Sequence, residues 1–499
     1  MKINERTNGG TTTRWPLLEP PEQKPRAHRP NLLRRRPWHV LEAPTGEFPA
    51  VDADEAMGPQ LPDEATVNFV LDLSLRIGEV QMASGAGASD VTATIIAIAG
   101  ALGLPHCEVD VIFTSITVTC HRGSDLSPVT ALRVVRSRSL DYTRLTETEK
   151  LIRQIVRGNM GAEQAQTELE RITQAPHPYP RWVATLSWGG VAAFITILLG
   201  GGLDIALVAF VISAVIDRIG RLVNRYGLPF FFQQVIGGLV ATLSAMAIVS
   251  SNLLTTNKPT LVVAAAVTVL LSGLSTVSAV QDAITGYNVT AAGRTMETVL
   301  MSAGLISGVV LALRIAVMLG LPRTPLPEVS GSTPQQLPLV VLGGAGAAAC
   351  FALASYSKMR AMLVAAAAGA IGAAVYGGLM LARLDGVSSS AIAATLVGFC
   401  GGVLARRLGV TPLVVAVSGI TPLLPGLSTY RGLYQIGVEP SGDISTLMTA
   451  VAIGLALAAG VVLGEWLAQP VRTGLGRLER RFAGPRMAGP LEAADRRLE

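Results

Sequence analysis

Leu270-Leu-Ser-Gly-Leu-Ser-Thr276 and Leu423-Leu-Pro-Gly-Leu-Ser-Thr429 agree at six of seven positions and lie 153 residues apart (423 minus 270). Around them the chain divides into apolar segments, predicted at 182–201, 203–216, 229–252, 259–277, 296–320, 337–355, 361–382, 389–405, 410–425 and 444–468. Adding 153 to each of the first five lands on the last five. Most reach the roughly 20 residues that a bilayer's hydrocarbon core requires, while the second and ninth are short. Each copy holds five helices, an odd number, so the second copy must enter the membrane from the opposite side. The fold read from this pattern is an α-helical polytopic membrane protein with about ten transmembrane helices in a 5+5 inverted repeat, a plan that puts substrates at the repeat interface near the midplane.

Composition agrees. Half of the 499 residues are hydrophobic and 15% are charged, against about 25% charged in ordinary soluble domains. Mean hydropathy is +0.46. Between Trp182 and Ala468 there are only 13 Lys/Arg and 9 Asp/Glu. Connections predicted on one side carry Arg218, Arg221, Arg225, Arg294, Lys358, Arg360, Arg406 and Arg407, with Arg472, Arg477, Arg480 and Arg481 in the tail. The other side carries Lys258, Arg323, Arg383 and Arg431. The positive-inside bias puts both termini in the cytoplasm of a multi-pass protein of the plasma (inner) membrane.

Outside the spans, residues 1–60 form a basic, Pro-rich arm with no apolar run of signal-peptide type. Residues 61–180 read as a small cytoplasmic α/β domain: a helix carrying Val67, Val70, Leu71, Leu75, Ile77 and Val80, a second helix from Val91 capped by Ser89 or Asp90, one or two strands within 108–120, another at 129–135, and two further helices. The Ser84-Gly-Ala-Gly-Ala-Ser-Asp90 turn lacks the Lys of a phosphate loop and reads as a helix C-cap running into an N-cap. Membrane units follow at 181–325 and 335–469, and a charged cytoplasmic tail at 470–499.

Three stretches together resemble the threonine/serine exporter family: the helix–Ser84-Gly85-Ala86–helix entry with Gly103-Leu104; Asp282-Ala-Ile-Thr-Gly286 with Gly293-Arg294 and Glu297; and Gly419-Ile-Thr-Pro-Leu-Leu-Pro-Gly426. One departure is Ser272-Gly273, where relatives often have Pro-Gly. The resemblance implies secondary export of threonine or serine. Because the family is also similar to two-component systems linked to dicarboxylate export, succinate-like substrates are an alternative.

Charges in spanning helices cost about 2.5–3.5 kcal/mol each on insertion scales, so those near the spans require a reason. Asp282 is the candidate proton-coupling or substrate-ammonium group, with Arg294 as its ionic partner or a substrate-carboxylate contact and Glu297 beside them. Gly273, Pro422, Pro425 and Gly426 mark helix breaks whose end dipoles can face an amino acid, with the two glycines expected to adopt positive φ. All five histidines precede Trp182, which excludes a His relay within the spans. No metal, cofactor or nucleic-acid signature appears, and no GxSxG or HExxH motif of a hydrolase. A secondary exporter driven by the proton gradient, rather than an enzyme, follows. A membrane-tethered metabolite sensor or hydrolase using the N-terminal domain is the competing class. Pairs at GxxxG spacing, Gly304/Gly308, Gly398/Gly402 and Gly460/Gly464, provide close helix contacts within one subunit or between subunits of a homo-oligomer.

Overall fold

A computed structural model describes residues 63–104, 106–122, 126–136, 140–250, 259–270, 273–320, 334–438 and 444–474. The basic arm, Ser272, Lys258, Arg323 and the charged tail beyond residue 474 lie outside them. These described residues belong to one compact unit.

The first described elements are α1 (Glu64–Ala83), α2 (Ala88–Ala101), β1 (Cys107–Ile112), β2 (Ser115–Cys120), β3 (Val129–Val134), α3 (Tyr142–Val156) and α4 (Ala162–Gln174). Asp63 caps α1, its carboxylate accepting from Thr66 N at 3.1 Å. The strands pair antiparallel in the order β1-β2-β3, so this part follows an α+β plan. Period-two alternation turns Ile116, Val118 and Cys120 of β2 inward, where they join Val67, Leu71 and Ile95 in one core. The opposite side of α1 contributes Leu73 and Ile77 to a second core with Leu151, Ile155 and Leu169. Cys107 and Cys120 face each other across β1 and β2, and burial, with the neighbouring thiol, pushes Cys107 up to about 12, so it stays a thiol at neutral pH.

Twelve further α-helices follow: α5 (Arg181–Leu198), α6 (Leu203–Arg225), α7 (Phe230–Ser250), α8 (Pro259–Leu270), α9 (Gly273–Ile284), α10 (Asn288–Met318), α11 (Leu337–Ala354), α12 (Met359–Leu381), α13 (Gly386–Arg407), α14 (Pro412–Ile420), α15 (Gly426–Val438) and α16 (Ser445–Gly474). Among the described residues, seven helices are long and apolar enough to cross a membrane, or up to nine if each of two bent pairs is one span. The difference from ten lies in α6, whose second half carries Asp217, Arg218, Arg221 and Arg225. Its apolar stretch of 14 residues (203–216) covers only about 21 Å. The segment predicted at 259–277 is not one straight helix: α8 and α9 are bent by 48°. The fifth segment starts eight residues earlier than its hydropathy suggests, at Asn288 rather than Met296.

Packing partners recur. In residues 181–318, α5 packs on α6 and α8, α6 on α7 and α8, α7 on α8 and α10, and α9 on α10. In residues 337–474 the same set occurs with α11 to α16 in place of α5 to α10. Contacts between the two groups are reciprocal: α9 with α16 and α15 with α10, α8 with α15 and α14 with α9, and α5 with α11.

Small residues permit these approaches. A Cβ on Gly304 would meet the Phe231 carbonyl at 2.6 Å, and one on Gly308 would overlap the Val235 carbonyl, both on α7. Gly460 and Gly464 stand against Ala391 and Thr395 of α13 in the same way. The two pairs are offset by 156 (460 minus 304, 464 minus 308), three more than the helix-break motifs. All three GxxxG pairs thus have partners within the chain. Gly464→Val is expected to destabilise the protein by about 1–3 kcal/mol or more through overpacking. An unchanged thermal transition in detergent would show that α13 and α16 are not so closely apposed.

Candidate coupling and substrate site

Asp282 occupies the last turn of α9, where a negative charge opposes the helix dipole. Its stabilisation comes from two other elements. Arg294, two turns into α10, places Nη1 3.1 Å from Asp282 Oδ2. The backbone N–H of Ala88, the first residue of α2, donates to Asp282 Oδ1 at 2.7 Å. Asp282 is 0% and Arg294 3% exposed, so this is a buried ion pair and needs such additional hydrogen bonds to offset desolvation.

The α2 terminus makes the second contact necessary. Its N-cap is Gly87, which supplies no side-chain acceptor, rather than Ser89 or Asp90 as expected; both of those lie inside the helix, which starts three residues earlier than Val91. Gly85, at φ +97°, reverses the chain after α1. The turn then offers its backbone outward: Ser278 Oγ donates to Gly85 O at 3.0 Å, and Arg294 Nη2 donates to Ala86 O at 3.1 Å. Beside it, Gln281 Nε2 donates to Asp90 Oδ2 at 3.4 Å. Thr290 Oγ1 donates to Val111 O at 2.8 Å and accepts from Phe113 N at 3.0 Å, which anchors the β1–β2 hairpin on α10.

The structure therefore brings Asp282 and Arg294 together. Glu297 lies one turn further along α10, half-buried. Gly273 opens α9, nine residues before Asp282, a rise of about 13 Å along the helix. Pro422, Pro425 and Gly426 belong to the other bent pair. There α14 runs into a single 3₁₀ turn at 421–423, and the chain bends by 47° into α15. Thr421 begins that turn with Pro422 in its centre, and Pro425, lacking an N–H, precedes α15.

Gly426 does not adopt the positive φ expected of it. Close approach is what requires glycine: a Cβ would overlap Thr268 Oγ1 of α8 and stand 2.7 Å from the Ala264 carbonyl. The second break is thereby seated directly on α8, the first half of the other bent pair. Ser418 of α14, three residues before the 3₁₀ turn, is fully buried, and its Oγ has no hydrogen-bond partner, leaving a hydroxyl to be satisfied.

Sequence reading misses Ser278, Gln281, Thr290 and the backbone of Ala86 and Ala88. Their partners are between 177 and 208 residues away, and nothing local records the pairing. The one available signal is that a Gly at the N-cap of α2 leaves its amides to be capped from elsewhere.

Comparison with known proteins covers both groups of helices. Family models of the threonine/serine exporter match residues 72–316 and 341–467. A probable threonine/serine exporter of Mycobacterium tuberculosis is 39% identical over 436 residues, covering 86% of this chain and 81% of the relative. A threonine/serine exporter of Corynebacterium glutamicum is 36% identical over 438 residues, covering 86% and 89%. No solved structure matches the chain. With relatives of this identity aligned over most of both chains, the protein belongs to the threonine/serine exporter family.

Proposed function

We propose that the chain exports threonine and serine from the cytoplasm across the plasma (inner) membrane, driven by inward proton flow. The observation that carries the mechanism is the buried Asp282–Arg294 pair at the end of a bent apolar helix pair. An ionisable pair so enclosed in a membrane protein is by default read as functional. Asp282 alternates between a proton and the substrate ammonium, and Arg294 is its ionic partner or receives the substrate carboxylate. Glu297 lies on the approach to them. The two bends, at Gly273 and at Pro422-Pro425-Gly426, present helix ends to the amino acid. Ser418 offers a hydroxyl at the second bend.

Ten crossings in a 5+5 inverted repeat are supported by the matching packing partners and by the reciprocal contacts between the halves, the pattern that a two-fold relation generates. α6 counts as a crossing on this reading. Leu203, Leu207, Val211 and Val215, at four-residue spacing, are 80, 66, 52 and 44% exposed, a stripe suited to lipid. Residues 61–180 then form the cytoplasmic domain, with membrane units at 181–325 and 335–469 and cytoplasmic segments at either end.

Two measurements test this reading. Lys358, at the N-cap of α12, and Arg383, just past its C-cap, are both exposed, so labelling of cysteines placed there depends on membrane side rather than burial. In intact cells Arg383→Cys is expected to react with an impermeant maleimide and Lys358→Cys is not; the reverse pattern overturns the orientation. For substrate, vesicles preloaded with threonine, serine or succinate are compared with and without a pH gradient. Gradient-stimulated efflux of the two amino acids supports the proposal, whereas succinate efflux alone replaces it with the dicarboxylate reading.

A further inference from the structure

The contact between the α1–α2 turn and the α9–α10 corner joins parts of the chain that sequence reading treats as separate objects. Gly85 O, Ala86 O and Ala88 N are held respectively by Ser278, Arg294 and Asp282. Flanking contacts are those of Gln281 with Asp90 and of Thr290 with the β1–β2 hairpin. The fit is also steric. A Cβ on Gly87 would stand 3.2 Å from Asp282 Oδ1 and from Gln281 Cδ, and one on Gly293 would meet the Phe113 ring at 2.8 Å.

Three consequences follow from this arrangement. Asp282 is fully enclosed, so with the turn seated neither water nor substrate reaches its carboxylate. Its two stabilising partners are Arg294 of α10 and the positive end of α2, while the Asp90 carboxylate of α2 is the like charge facing it. Finally, the cap depends on Asp282 being an ionised acceptor, because a neutral carboxyl group has a weaker attraction for both the helix end and the guanidinium. Occupation of Asp282 and seating of the turn are therefore linked, and each must influence the other by the same free energy.

We propose that the Ser84–Asp90 turn is the plug of the cytoplasmic entrance, latched by ionised Asp282 and held unseated when that carboxylate, uncovered as the turn opens, takes a proton or a substrate ammonium group. This rests on the reading of Asp282 as the coupling group. It gives the N-terminal elements a part in every transport cycle. In the latched state Asp282 is shielded from the cytoplasm; unseating α2 exposes both Asp282 and Arg294 to an incoming amino acid, and reseating closes the path behind it. The atoms exchanged are one proton or one ammonium contact on Asp282 against the Ala88 N–H and Arg294 contacts.

The test uses the full chain in proteoliposomes, with Cys107, Cys120, Cys350 and Cys400 replaced by Ser and with Asp90→Cys and Gln281→Cys added. A short bis-methanethiosulfonate bridges the new pair reversibly. Bridged protein is expected to lose most threonine efflux and to recover it on reduction, while the yield of bridging falls when threonine is present on the cytoplasmic side. Equal efflux from bridged and unbridged protein, or a bridging yield that threonine does not alter although wild-type protein exports it, overturns the latch. Failure of the exporter reading has a different signature, absence of threonine efflux from wild-type vesicles.

Discussion

Gradient-driven threonine efflux is expected to drop by about tenfold or more, equivalent to ~1.4 kcal/mol in the rate-limiting barrier, when Asp282 is replaced by Asn. Asn retains an oxygen that can accept from Ala88 N–H, but without the charge it holds the α2 end more weakly. It has no charge to exchange for a proton, and it removes the carboxylate that pairs with Arg294. Removing one member of a buried pair costs about 3–5 kcal/mol, so the single variant should also melt at a lower temperature. The double variant Asp282→Asn/Arg294→Gln removes both charges together and should recover much of that stability while remaining inactive. Recovery of stability without efflux separates a coupling role from a structural one. Efflux restored along with stability would show that the pair only holds α2, α9 and α10 together.

The second large effect is expected at the helix bends. Gly426→Val places a Cβ that overlaps Thr268 Oγ1 and stands 2.7 Å from the Ala264 carbonyl, with two further methyl groups beyond it, so α15 must move away from α8. Overpacking at one such contact costs typically about 1–3 kcal/mol. Because α8 and α15 come from different halves, the change should bias the equilibrium between transport states rather than melt one helix. Bulky substitution at Gly273, which opens α9 on the side assigned to the cytoplasm, should bias it in the opposite direction. Reporter cysteines in the cavity would then gain accessibility from one side in one variant and lose it in the other. Parallel changes in both would reduce the glycines to packing residues.

Much of this architecture is legible in the chain because lipid imposes a length rule. Apolar runs bounded by charges or by Pro and Gly find α5, α7, α11, α12, α13 and α16 within a few residues. The rule fails where polar side chains are satisfied by another element. The first two turns of α10, Asn288 to Thr295, read as a connection because they carry Asn288, Thr290 and Arg294. In the folded chain Thr290 bonds to the β1–β2 hairpin and Arg294 to Ala86 and Asp282, so the helix continues through them. α6 fails for the opposite reason: it stays helical to Arg225 after its hydropathy has ended, because a surface helix tolerates charges that a bilayer core does not. At the site, the likelihood that Asp282 and Arg294 pair is readable from their scarcity and proximity in sequence. The capping of α2 by Asp282 is not, since its two ends are 194 residues apart. The glycine at 426 illustrates a further limit: sequence shows that a small residue is needed there, but positive φ and close approach look alike until the neighbour is known.

Proton coupling through Asp282 can be measured directly, because coupled exchange runs in either sense. If inward protons drive threonine out, then a threonine gradient alone must drive protons the other way across the exchange. Right-side-out vesicles loaded with threonine and a pH-sensitive dye, with no initial pH gradient, are predicted to acidify inside as threonine leaves through the wild-type protein, and to show no acidification with Asp282→Asn. Threonine leaving wild-type vesicles at full rate with no change in internal pH would contradict the account.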